Sequence, residues 1–579
     1  MNISERIDDI AKFICKNYGM YKNFLKDKDL YIHDNVFGTL KFENFERKII
    51  NSPFLQRLTK INQMGLANFV YPGAVHNRFS HSLGVSYLAG RIYKEIICDF
   101  EERDDHDKEK DINTIKLAGL LHDIGHGPFS HLTEDVIDWL RSVSYKCKEI
   151  DDQIVFRSGG LGQTTSKLHE YLAYHLIESQ PVSKMIKNIY HTIPIHLDLI
   201  SLCVTNNSLP NKDDKGNVSK IFDDKYKMLI IKIINGYSDA DKIDYLLRDS
   251  KFSGLPIPAD IDRLISFLTI IEDKEKKYYE LGVLEKGTRA FNLLLQSRAT
   301  MYPTVYHHHT TLACETMLVV AIVDAIKNVN VATAGIDKNK WPPIECGVDL
   351  LRYTDDKLLE YLRIINNPIS NDVVLRLNNR RYYRVARKFN TWDLINKLIK
   401  SEDEYREFLI KNGQFDEFQA LLDKGKYIDY NEKLHFKYKR EYKANQEEKI
   451  HNFIYGFNTS DKIRKFKQDV ISKEPSIIEE LEKKIPGVKR ETLIDYVIVI
   501  RFPKDRDTSE PYKQPFIKRI DPITNDEEML TLQKMGYAAP RVIDYQHITF
   551  YALPEYVNKL QPHIDDYAKS LIPEFFDIC

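Results

Sequence analysis

LLHDIGHGPFSH, residues 120–131, places three histidines and an aspartate at the end of an apolar helical pattern. Neighbouring residues on a helix lie about 100° apart, so the side chains of His122 and Asp123 can reach one point only beyond the helix end. Imidazole and carboxylate groups are both ligands for divalent metal ions. The stretch therefore predicts half of a metal site, with two further histidines close behind it.

Two other segments offer the remaining ligands. NRFSHSLGV contains His81 immediately before an apolar helical pattern, and SDADKIDYLLRD contains Asp239, Asp241 and Asp244 at the start of another. Taken singly, an aspartate at a helix start is usually an N-cap. A histidine, a His-Asp pair and a distant aspartate on separate helices together offer nitrogen and oxygen ligands for Fe, Mn, Zn or Mg. The prediction of a metal site therefore depends on all three segments.

The composition of the whole chain limits the class of protein. It has 579 residues, 43% hydrophobic and 29% charged, with a net charge of −1, so it can bury a core and has no overall attraction for polyanions. Seven scattered cysteines without a CxxC pair exclude a disulfide framework and a thiolate zinc site. The N-terminus has no secretory signal, and no uninterrupted apolar run approaches ~18–20 residues. We therefore expect a soluble, cytoplasmic protein without a membrane span.

Hydrophobic spacing is helical through most of residues 43–325. The segment 31–42 alternates around a glycine and predicts a hairpin, while 278–284, 495–502 and 547–553 are typical of strands. We predict a mainly α fold, a helical bundle with a smaller α+β C-terminal lobe. The predicted domains are an N-terminal helix and connector (1–29), a catalytic core (30–325), a helical extension packing on the core (326–460) and the α+β lobe (461–579).

In this order and with these flanks, the three segments resemble the HD-domain metal phosphohydrolases, whose signature is H…HD…D. YPGAVHNRFSHSLGVSYLAG (71–90), LLHDIGHGPFSH and DADKIDYLLRD (239–249) resemble one branch, the deoxynucleoside-triphosphate triphosphohydrolases. That branch includes animal enzymes that join a sterile-alpha-motif domain to an HD domain. The resemblance is strong over 30–325, weak over 350–365 and poor beyond roughly residue 400. Because only 29 residues precede the matching region, we expect no sterile-alpha-motif domain.

The resemblance implies a metal-dependent enzyme that cleaves dNTP at the α-phosphorus to deoxynucleoside and tripolyphosphate. It implies one divalent transition metal (Fe, Mn or Zn) at the HD site, and Mg or Mn with the nucleotide phosphates. Metal-bound water loses its proton near neutral pH, and an imidazole can protonate the leaving 5′-oxygen. The implied metal ligands are His81, His122, Asp123 and Asp241. The implied catalytic residues are His126 as an α-phosphate clamp, His131 as the general acid, Glu134 where the family usually has Asp, and the pair His169 and Glu170.

The same resemblance implies a nucleotide pocket. Guanidinium groups suit phosphate oxygens, and an aromatic ring beside C2′ disfavours a ribose. Three consecutive histidines, 307–309, cannot share one face, so we expect only the middle one in the pocket and no second metal there. The implied substrate-binding residues are Arg78, Lys242 and Arg298 at the phosphates, Gln63, Tyr245, Asp249 and Tyr306 at the sugar, His308, and Tyr302, which replaces a family His and bears on base preference.

The chain departs from the animal enzymes where their guanine and deoxynucleotide activators bind between subunits. We therefore expect no GTP activation of the animal type. A deoxynucleotide is the expected activator if there is one, and a homo-oligomer, dimer or tetramer, is expected. The positions that lack the charged or guanine-binding side chains of the family are Leu30, Asn51, Thr59, Pro303 and Thr304, whereas Arg263 matches.

Two other functions remain open from the sequence. One is an HD-type phosphodiesterase or nuclease acting on oligonucleotides. Its binding track would be the stretch 424–467, which holds twelve Lys/Arg against six Asp/Glu and is otherwise read as a solvated helical face. The other is a catalytically silent nucleotide-sensing module, although such modules usually lose a metal ligand first. We expect dNTP as the substrate, with nucleic acid as the weaker candidate partner.

Overall fold

The computed structural model describes residues 2–17, 28–98, 103–141, 167–205, 224–236, 239–258, 260–273, 278–328, 337, 340–390, 461–501, 517–520, 527–530 and 547–566. The chain divides into two compact units. The first comprises Met1–Leu375 and Thr508–Arg541, and the second comprises Arg376–Asp507 and Val542–Cys579. The domain boundaries given above stay predictions, and most of the helical extension predicted over 326–460 lies outside the described residues.

Helices dominate the first unit, which confirms the mainly α prediction. The N-terminal helix buries Ile3, Ile7, Ile10 and Ile14, a spacing of three and four residues that puts one apolar stripe against the core. The helices are α1 (Ile3–Asn17), α2 (Asn44–Ile50), α3 (Pro53–Leu58), α4 (Arg78–Ile97), α5 (Asp105–Leu121), α6 (Leu132–Arg141), α7 (Leu168–Glu178), α8 (Gln180–Tyr190), α9 (Leu197–Val204), α10 (Tyr226–Ile234), α11 (Ala240–Ser253), α12 (Ile261–Ser266), α13 (Thr288–Met301), α14 (His309–Asn328), α15 (Asp355–Ile364) and α16 (Pro368–Asn378), which crosses the unit boundary, with short 3₁₀ or π turns at Ala67–Phe69, Glu285–Gly287, Tyr302–Tyr306 and Gly347–Arg352.

A glycine lets α4 and α5 approach closely. A Cβ at Gly119 would lie 2.8 Å from the Cα of Ser86, which is closer than two carbon atoms can pack. The Ser86 hydroxyl also donates to the carbonyl of Lys116 across the same interface at 3.0 Å. Without a side chain at position 119, the start of α4 and the end of α5 come together. This approach brings two of the three motif segments to one place.

In the described part of the first unit, strands form two small sheets. β1 (Leu30–Asp34) and β2 (Gly38–Phe42) form the predicted hairpin, with Gly38 at φ 77° beside the turn. β3 (Leu268–Asp273) and β4 (Tyr278–Leu284) pair antiparallel, which confirms the strand predicted at 278–284. β7 (Ile517–Ile520) lies parallel to β4 and antiparallel to β8 (Glu527–Leu530), in the sheet order β3-β4-β7-β8.

The second unit combines helices with a three-stranded sheet, as the predicted α+β lobe requires. Its strands are β5 (Arg384–Asn390), β6 (Ile498–Arg501) and β9 (His547–Ala552), and both outer strands pair antiparallel with β9. The Tyr383 hydroxyl, just before β5, donates to the carbonyl of Tyr496 at 2.6 Å. Tyr496 lies in the helix that precedes β6, so this bond joins the sheet to that helix. Its described helices include α17 (Asp461–Ser472), α18 (Pro475–Lys484) and α19 (Arg490–Val497), and a further helix covers residues 557–566.

One strand prediction needs correction. Residues 495–502 were expected to be a strand throughout, but helix α19 continues to Val497 and the strand covers only 498–501. Leu493, Ile494 and Val497 are buried together, and this spacing of three and four residues favours a last helical turn. The strand predicted at 547–553 is present over 547–552, and residues 424–460 of the basic stretch lie outside the described residues.

Of the helices that the structure describes, one, α14, is long and apolar enough to cross a membrane by length and composition alone, and 67% of its most apolar window is buried inside the protein. Burial of this kind is also the pattern of a core helix.

Candidate active site

The ends of three helices place the predicted metal ligands. His81 lies in the first turn of α4, which the Asn77 side chain caps. α5 ends one residue before His122, so His122 and Asp123 project beyond the helix end, as the sequence required. Asp241 lies in the first turn of α11. Three chain segments far apart in sequence therefore direct one or two ligands each into the same region.

The four side chains converge. The Nε2 atoms of His81 and His122 are 3.2 Å apart. The Nε2 of His81 lies 3.0 Å from an oxygen of Asp241 and 3.6 Å from one of Asp123, and the Nε2 of His122 lies 3.2 Å from Asp123. All four are largely buried, with Asp241 the most exposed. Two nitrogens and two carboxylates at these separations surround a volume suited to one divalent ion.

Contacts behind the ligands fix which nitrogen faces the centre. The Nδ1 of His81 bonds Asp244 at 2.7 Å, and the Nδ1 of His122 bonds the carbonyl of Gly119 at 2.8 Å. With Nδ1 used as a donor, each Nε2 presents a lone pair to the centre. Two lone pairs at 3.2 Å repel each other unless a cation or proton lies between them, so the donor set fits a bound metal ion. Although burial lowers the pKa of His81, its hydrogen bonds to the carboxylates of Asp241 and Asp244 raise it to about 10.

A buried chain of alternating charges extends from His81 to the hairpin. Asp244 pairs with Arg248, whose Nη1 donates to Asp34 in the β1–β2 hairpin at 2.7 Å. Gly84 faces this chain, because a Cβ there would overlap Asp244 and Arg248. Each carboxylate in the chain is thus paired with a positive or polar group, as burial demands.

Arg78 joins the metal ligands to the following loop. Its Nη1 donates to Asp123 at 2.6 Å, and its Nε donates to the Ser130 hydroxyl at 2.9 Å. Burial raises the pKa of Asp123, but the charges of Arg78 and His122 outweigh burial and hold it well below 3.8. Asp123 is therefore an ionised carboxylate at neutral pH. Arg78, which was predicted to contact phosphate, already has one side bound to this carboxylate.

A second cluster lies beside the first and contains four of the predicted catalytic residues. Glu134 is 1% exposed, and one of its oxygens contacts the Nδ1 of His169 at 2.5 Å and the Nδ1 of His131 at 3.1 Å. The ring of His126 stacks on that of His169 with centroids 3.9 Å apart. Each of these four residues offers one nitrogen or oxygen atom, and the four atoms lie within 4.8 Å of one another. The longer Glu side chain, which stands for the family Asp, thus reaches two histidines.

The two buried histidines of this cluster are neutral at neutral pH. Burial, assisted by the positive charge of Arg78, lowers the pKa of His126 well below 6.5. Burial lowers the pKa of His169 to about 4. Among the described residues, neither ring nitrogen of His126 has a hydrogen-bond partner, although its Nε2 lies 3.4 Å from Asp123. A buried imidazole without a partner is costly, and a bound ligand would supply that partner.

The other predicted phosphate contacts are held in different ways. The Lys242 ammonium group bonds Asp239 at 2.5 Å and the carbonyl of Gly236 at 2.8 Å, so it must turn away from them to meet a phosphate. Arg298 is half-buried, with its guanidinium group 5.3 Å from the ring centre of Tyr302.

The predicted sugar contacts form a separate buried group. The Tyr306 hydroxyl donates to Asp249 at 2.6 Å, and the Nε2 of His76 contacts the other Asp249 oxygen at 2.7 Å. Burial, then the charge of Asp249, raises the pKa of Tyr306 well above 10, so its hydroxyl remains a donor. Tyr306 packs edge-on against Tyr245 and Tyr302. Tyr302–Tyr306 form a π-helical turn, a distortion frequent at functional sites.

Tyr245 connects the sugar group to the metal ligands. Burial raises the pKa of Tyr245 well above 10, while the nearby charge of Arg298 lowers it and that of Asp241 raises it. The structure thus brings the metal ligands, the histidine cluster and the aromatic residues into one contiguous region. A small pocket in this region is lined by His122, His169, Glu170, Asp241, Cys203, Val204, Ile234 and Asn235.

Three further residues that were predicted to line the site are Gln63, His308 and Glu170. Gln63 is buried, and its side-chain oxygen has no hydrogen-bond partner among the described residues. His308 is half-buried, accepts the Thr310 backbone N–H and lies edge-on to Tyr71. Glu170 accepts the backbone N–H of the residue three positions before it, at the start of α7.

Some residues at this site were not found from the sequence. Lys167 is affected by the charges of Glu170, Asp241 and Arg298, so it lies near the pocket as an additional cation. His76 supports Asp249, and a signal for it existed, because it lies within the motif segment 71–90. Arg57 and Asp355 bind the backbone of the 120–131 stretch from outside, and no local pattern marks them.

Comparison with known proteins agrees with the resemblance of the sequence motifs to HD-domain proteins. The HD-domain family model matches residues 78–209, and the model of the HD-associated region matches residues 259–412. An uncharacterised protein of Methanocaldococcus jannaschii is 28% identical over 389 residues, 67% of this chain and 66% of that protein. The deoxynucleoside triphosphate triphosphohydrolase SAMHD1 of Bos taurus is 27% identical over 393 residues, 66% of this chain and 62% of that enzyme. The chain thus spans somewhat less than two thirds of the length of these relatives.

A solved structure shares the fold. The crystal structure of a phosphohydrolase from Bacteroides thetaiotaomicron superimposes with a TM-score of 0.54 at 19% sequence identity, covering 90% of this chain and 99% of that one. The predicted HD-type helical fold is confirmed by the match of both family models and by this superposition. The chain therefore contains an HD domain followed by an HD-associated region, and it is similar to proteins that include deoxynucleoside triphosphate triphosphohydrolases.

Proposed function

We propose that the protein is a metal-dependent dNTP triphosphohydrolase, which cleaves dNTP at the α-phosphorus to deoxynucleoside and tripolyphosphate. The observation that carries this proposal is the juxtaposition of the four metal ligands with the histidine cluster around Glu134 and with the aromatic group around Tyr306 and Asp249. A phosphodiesterase needs the first two groups. The third is what a single deoxynucleotide requires.

His81, His122, Asp123 and Asp241 would hold the metal ion. When bound, a divalent ion supplies a water of lowered pKa and polarises a phosphate oxygen. Asp244 and the carbonyl of Gly119 keep both imidazoles in the tautomer that presents Nε2. The Arg78 contact keeps Asp123 ionised. Because the pKa of His81 is raised to about 10, its ring would release a proton on binding a metal ion.

His131 is the residue that we assign as general acid. Its side chain is 52% exposed, while its partner Glu134 is buried. Because Glu134 binds Nδ1, the Nε2 atom is the one that can hand a proton to the leaving 5′-oxygen. In the reaction a water oxygen bonds the α-phosphorus and the bond from phosphorus to the 5′-oxygen breaks. The water oxygen therefore ends in tripolyphosphate.

The α-phosphate needs donors that do not compete for the proton. His126 is buried and neutral, and its ring nitrogens have no hydrogen-bond partner in the described parts of the chain, so its N–H can bind a phosphate oxygen. Arg78, Lys242, Arg298 and Lys167 add positive charge around the triphosphate, which favours a polyanion over a neutral nucleoside. These positive charges favour binding of the substrate through its phosphate groups, and they also influence the release of the charged product.

The sugar end supports a deoxyribose. Asp249 can accept a hydrogen bond from the 3′-hydroxyl, and it is held by Tyr306 and His76. The ring of Tyr306 would then lie at C2′, where a ribose hydroxyl would lose its hydrogen bonds and crowd the ring. Tyr302 beside it bears on base preference.

The test is product analysis with labelled water. We expect purified protein, given Mn²⁺ or Mg²⁺ and each dNTP in H₂¹⁸O, to release deoxynucleoside and tripolyphosphate, with ¹⁸O in the tripolyphosphate. His131→Ala should lose turnover, while His106→Ala, an exposed histidine on α5, should not. Pyrophosphate, a monophosphate or an untouched substrate would reject the proposal. Cleavage of oligonucleotides in place of dNTP would favour the phosphodiesterase.

The occupants of the site are part of the same proposal. Mixed nitrogen and oxygen ligands suit Fe, Mn or Zn at the HD centre, and the phosphates suit Mg or Mn. Metal analysis of the purified protein identifies the first, and activity against added cations identifies the second. We also propose a homo-oligomer, to be measured by light scattering.

A further inference from the structure

The loop between the two catalytic histidines has an unusual backbone. Phe129 and Ser130 have φ values of 54° and 60°, in the left-handed region that side-chain-bearing residues rarely adopt. Gly127 and Ser130 form an isolated bridge that closes the loop. Two successive residues in this region persist only when surrounding contacts hold them. The loop begins at His126 and ends at His131, so its shape sets the separation of these side chains.

A buried carboxylate holds one side of the loop. One oxygen of Asp355 accepts the Phe129 backbone N–H at 2.6 Å, and the other accepts the Asn62 backbone N–H at 2.9 Å. Asp355 is 5% exposed. It is the first residue of α15, and its carboxylate is used on two other segments of the chain. The Ser130 hydroxyl donates to the carbonyl of Asn62 at 2.5 Å, so Asp355 and Ser130 join the loop to the same residue.

A buried guanidinium group holds the other side. Arg57 is 1% exposed, and its Nη2 donates to the carbonyls of Ile124 and His126 at 2.9 and 2.6 Å. Its Nη1 lies 3.4 Å from the carbonyl of Tyr353, two residues before Asp355. The loop carbonyls before the bend and the loop amide at the bend are therefore bound by two residues that lie outside residues 78–209.

We propose that Asp355 is a positioning residue: by binding the Phe129 amide it holds the left-handed loop that sets His126 and His131 against the substrate. The HD-associated region thereby completes the active site of the HD domain. The catalytic part of this inference rests on the proposed function, because it assigns both histidines to the reaction. The structural part concerns the loop alone.

The effect of losing Asp355 follows from geometry. Without the acceptor, the Phe129 amide loses its partner inside the protein, and the loop can relax from its left-handed conformation. A displacement of about 1 Å in a catalytic group can reduce turnover by about 100-fold. Substrate affinity depends mainly on Arg78, Lys242, Arg298 and the aromatic residues, which Asp355 does not touch. The loss therefore falls on kcat more than on KM.

The experiment compares Asp355→Ala and Asp355→Asn with Asp356→Asn, a neighbouring aspartate that is exposed. Hydrogen exchange of the peptide covering the loop, metal content and dNTP kinetics are measured on the full chain. We expect Asp355→Ala to speed loop exchange at least about tenfold, to lower kcat about 10- to 100-fold with KM within about twofold, and to keep the metal. Asp355→Asn, which retains one acceptor oxygen, should fall between Ala and wild type, and Asp356→Asn should match wild type.

The two readouts separate the two proposals. If the loop exchanges equally fast in Asp355→Ala and in wild type, Asp355 does not hold the loop, whatever the activity of the variant. Faster exchange with unchanged kcat would overturn the positioning role. If the wild-type protein leaves every dNTP intact, the proposed function fails, and loop exchange still decides whether Asp355 holds the loop. If the alanine variant does not fold, the asparagine variant carries the same comparison.

Discussion

The hydroxyl of Tyr306 donates a hydrogen bond of 2.6 Å to the carboxylate of Asp249. The contact joins the residue predicted to exclude a ribose to the residue predicted to bind the 3′-hydroxyl. His76, on the opposite oxygen of Asp249, completes a buried set of three. Sugar recognition thus depends on a ring and a hydroxyl that can be removed separately.

Tyr306→Ala and Tyr306→Phe separate these two contributions. Removing the ring should raise NTP hydrolysis relative to dNTP by about tenfold, the size expected when one excluded group is admitted. Phe keeps the ring, so discrimination should remain, while kcat/KM falls because Asp249 loses a donor. The measurement is kcat/KM for matched dNTP and NTP pairs. An unchanged ratio in the Ala variant removes Tyr306 from this role.

The metal prediction uses the His122–Asp123 pair. Changing both residues to Ala removes half of the ligands, so bound metal and turnover should be lost. The fold should persist, because α5 keeps its buried Ile115, Ala118 and Leu121. A second adjacent acid and histidine, Asp105 and His106 at the start of α5, is exposed and gives the matched double-Ala control. Metal analysis and circular dichroism are the measurements, and full metal occupancy in the His122/Asp123 variant contradicts the ligand assignment.

A pH dependence follows from Asp355. Burial raises the pKa of Asp355 to about 7, against an ordinary value of about 3.9 in the unfolded chain. The folded state therefore binds a proton between about pH 4 and pH 7 that the unfolded state releases. The contribution of this proton to stability is complete below about pH 4 and is lost as the pH rises through 7.

Asp355→Asn removes this titration. The stability advantage of wild type over Asp355→Asn should therefore shrink as the pH rises from 5 to 7, by at most about 1.4 kcal/mol per pH unit, and become constant above 7. Urea unfolding of both proteins across this range measures it. The control, Asp356→Asn, should differ from wild type by a nearly constant amount. An advantage of wild type over Asp355→Asn that stays constant from pH 5 to 7 would show that Asp355 ionises normally.

GTP should neither raise the rate nor change the oligomer. Leu30 begins β1 opposite Phe42, Asn51 ends α2, and the Thr59 hydroxyl already donates to the carbonyl of Gln56 at 2.6 Å. An apolar side chain and two neutral ones cannot replace charge-assisted bonds to a guanine edge and a triphosphate. Rate assays and light scattering with and without GTP, and with each dNTP, test this. GTP-dependent assembly with activation would show that these positions were matched wrongly.

Local pattern was sufficient for the helices and for the segments that carry the metal ligands. His122 and Asp123 are adjacent, so their convergence required only that the helix end before them, which it does. Asp355 and Arg57 could not be predicted, because they meet the loop through contacts 226 and 69 residues apart in sequence. The strand predicted at 495–502 was longer than the observed one. The β-branched residues of this segment favour a strand, whereas the burial of Leu493 and Val497 favours a helical turn.

The charge chain from His81 through Asp244 and Arg248 ends at Asp34, whose other oxygen accepts the Val36 and Phe37 backbone N–H groups in the hairpin turn. Loss of Asp34 would leave Arg248 with Asp244 as its carboxylate partner and draw Asp244 away from His81. In a genetic screen, a substitution in this hairpin would therefore behave as a metal-requiring allele, rescued by growth medium rich in the cognate metal, although the hairpin contributes no ligand.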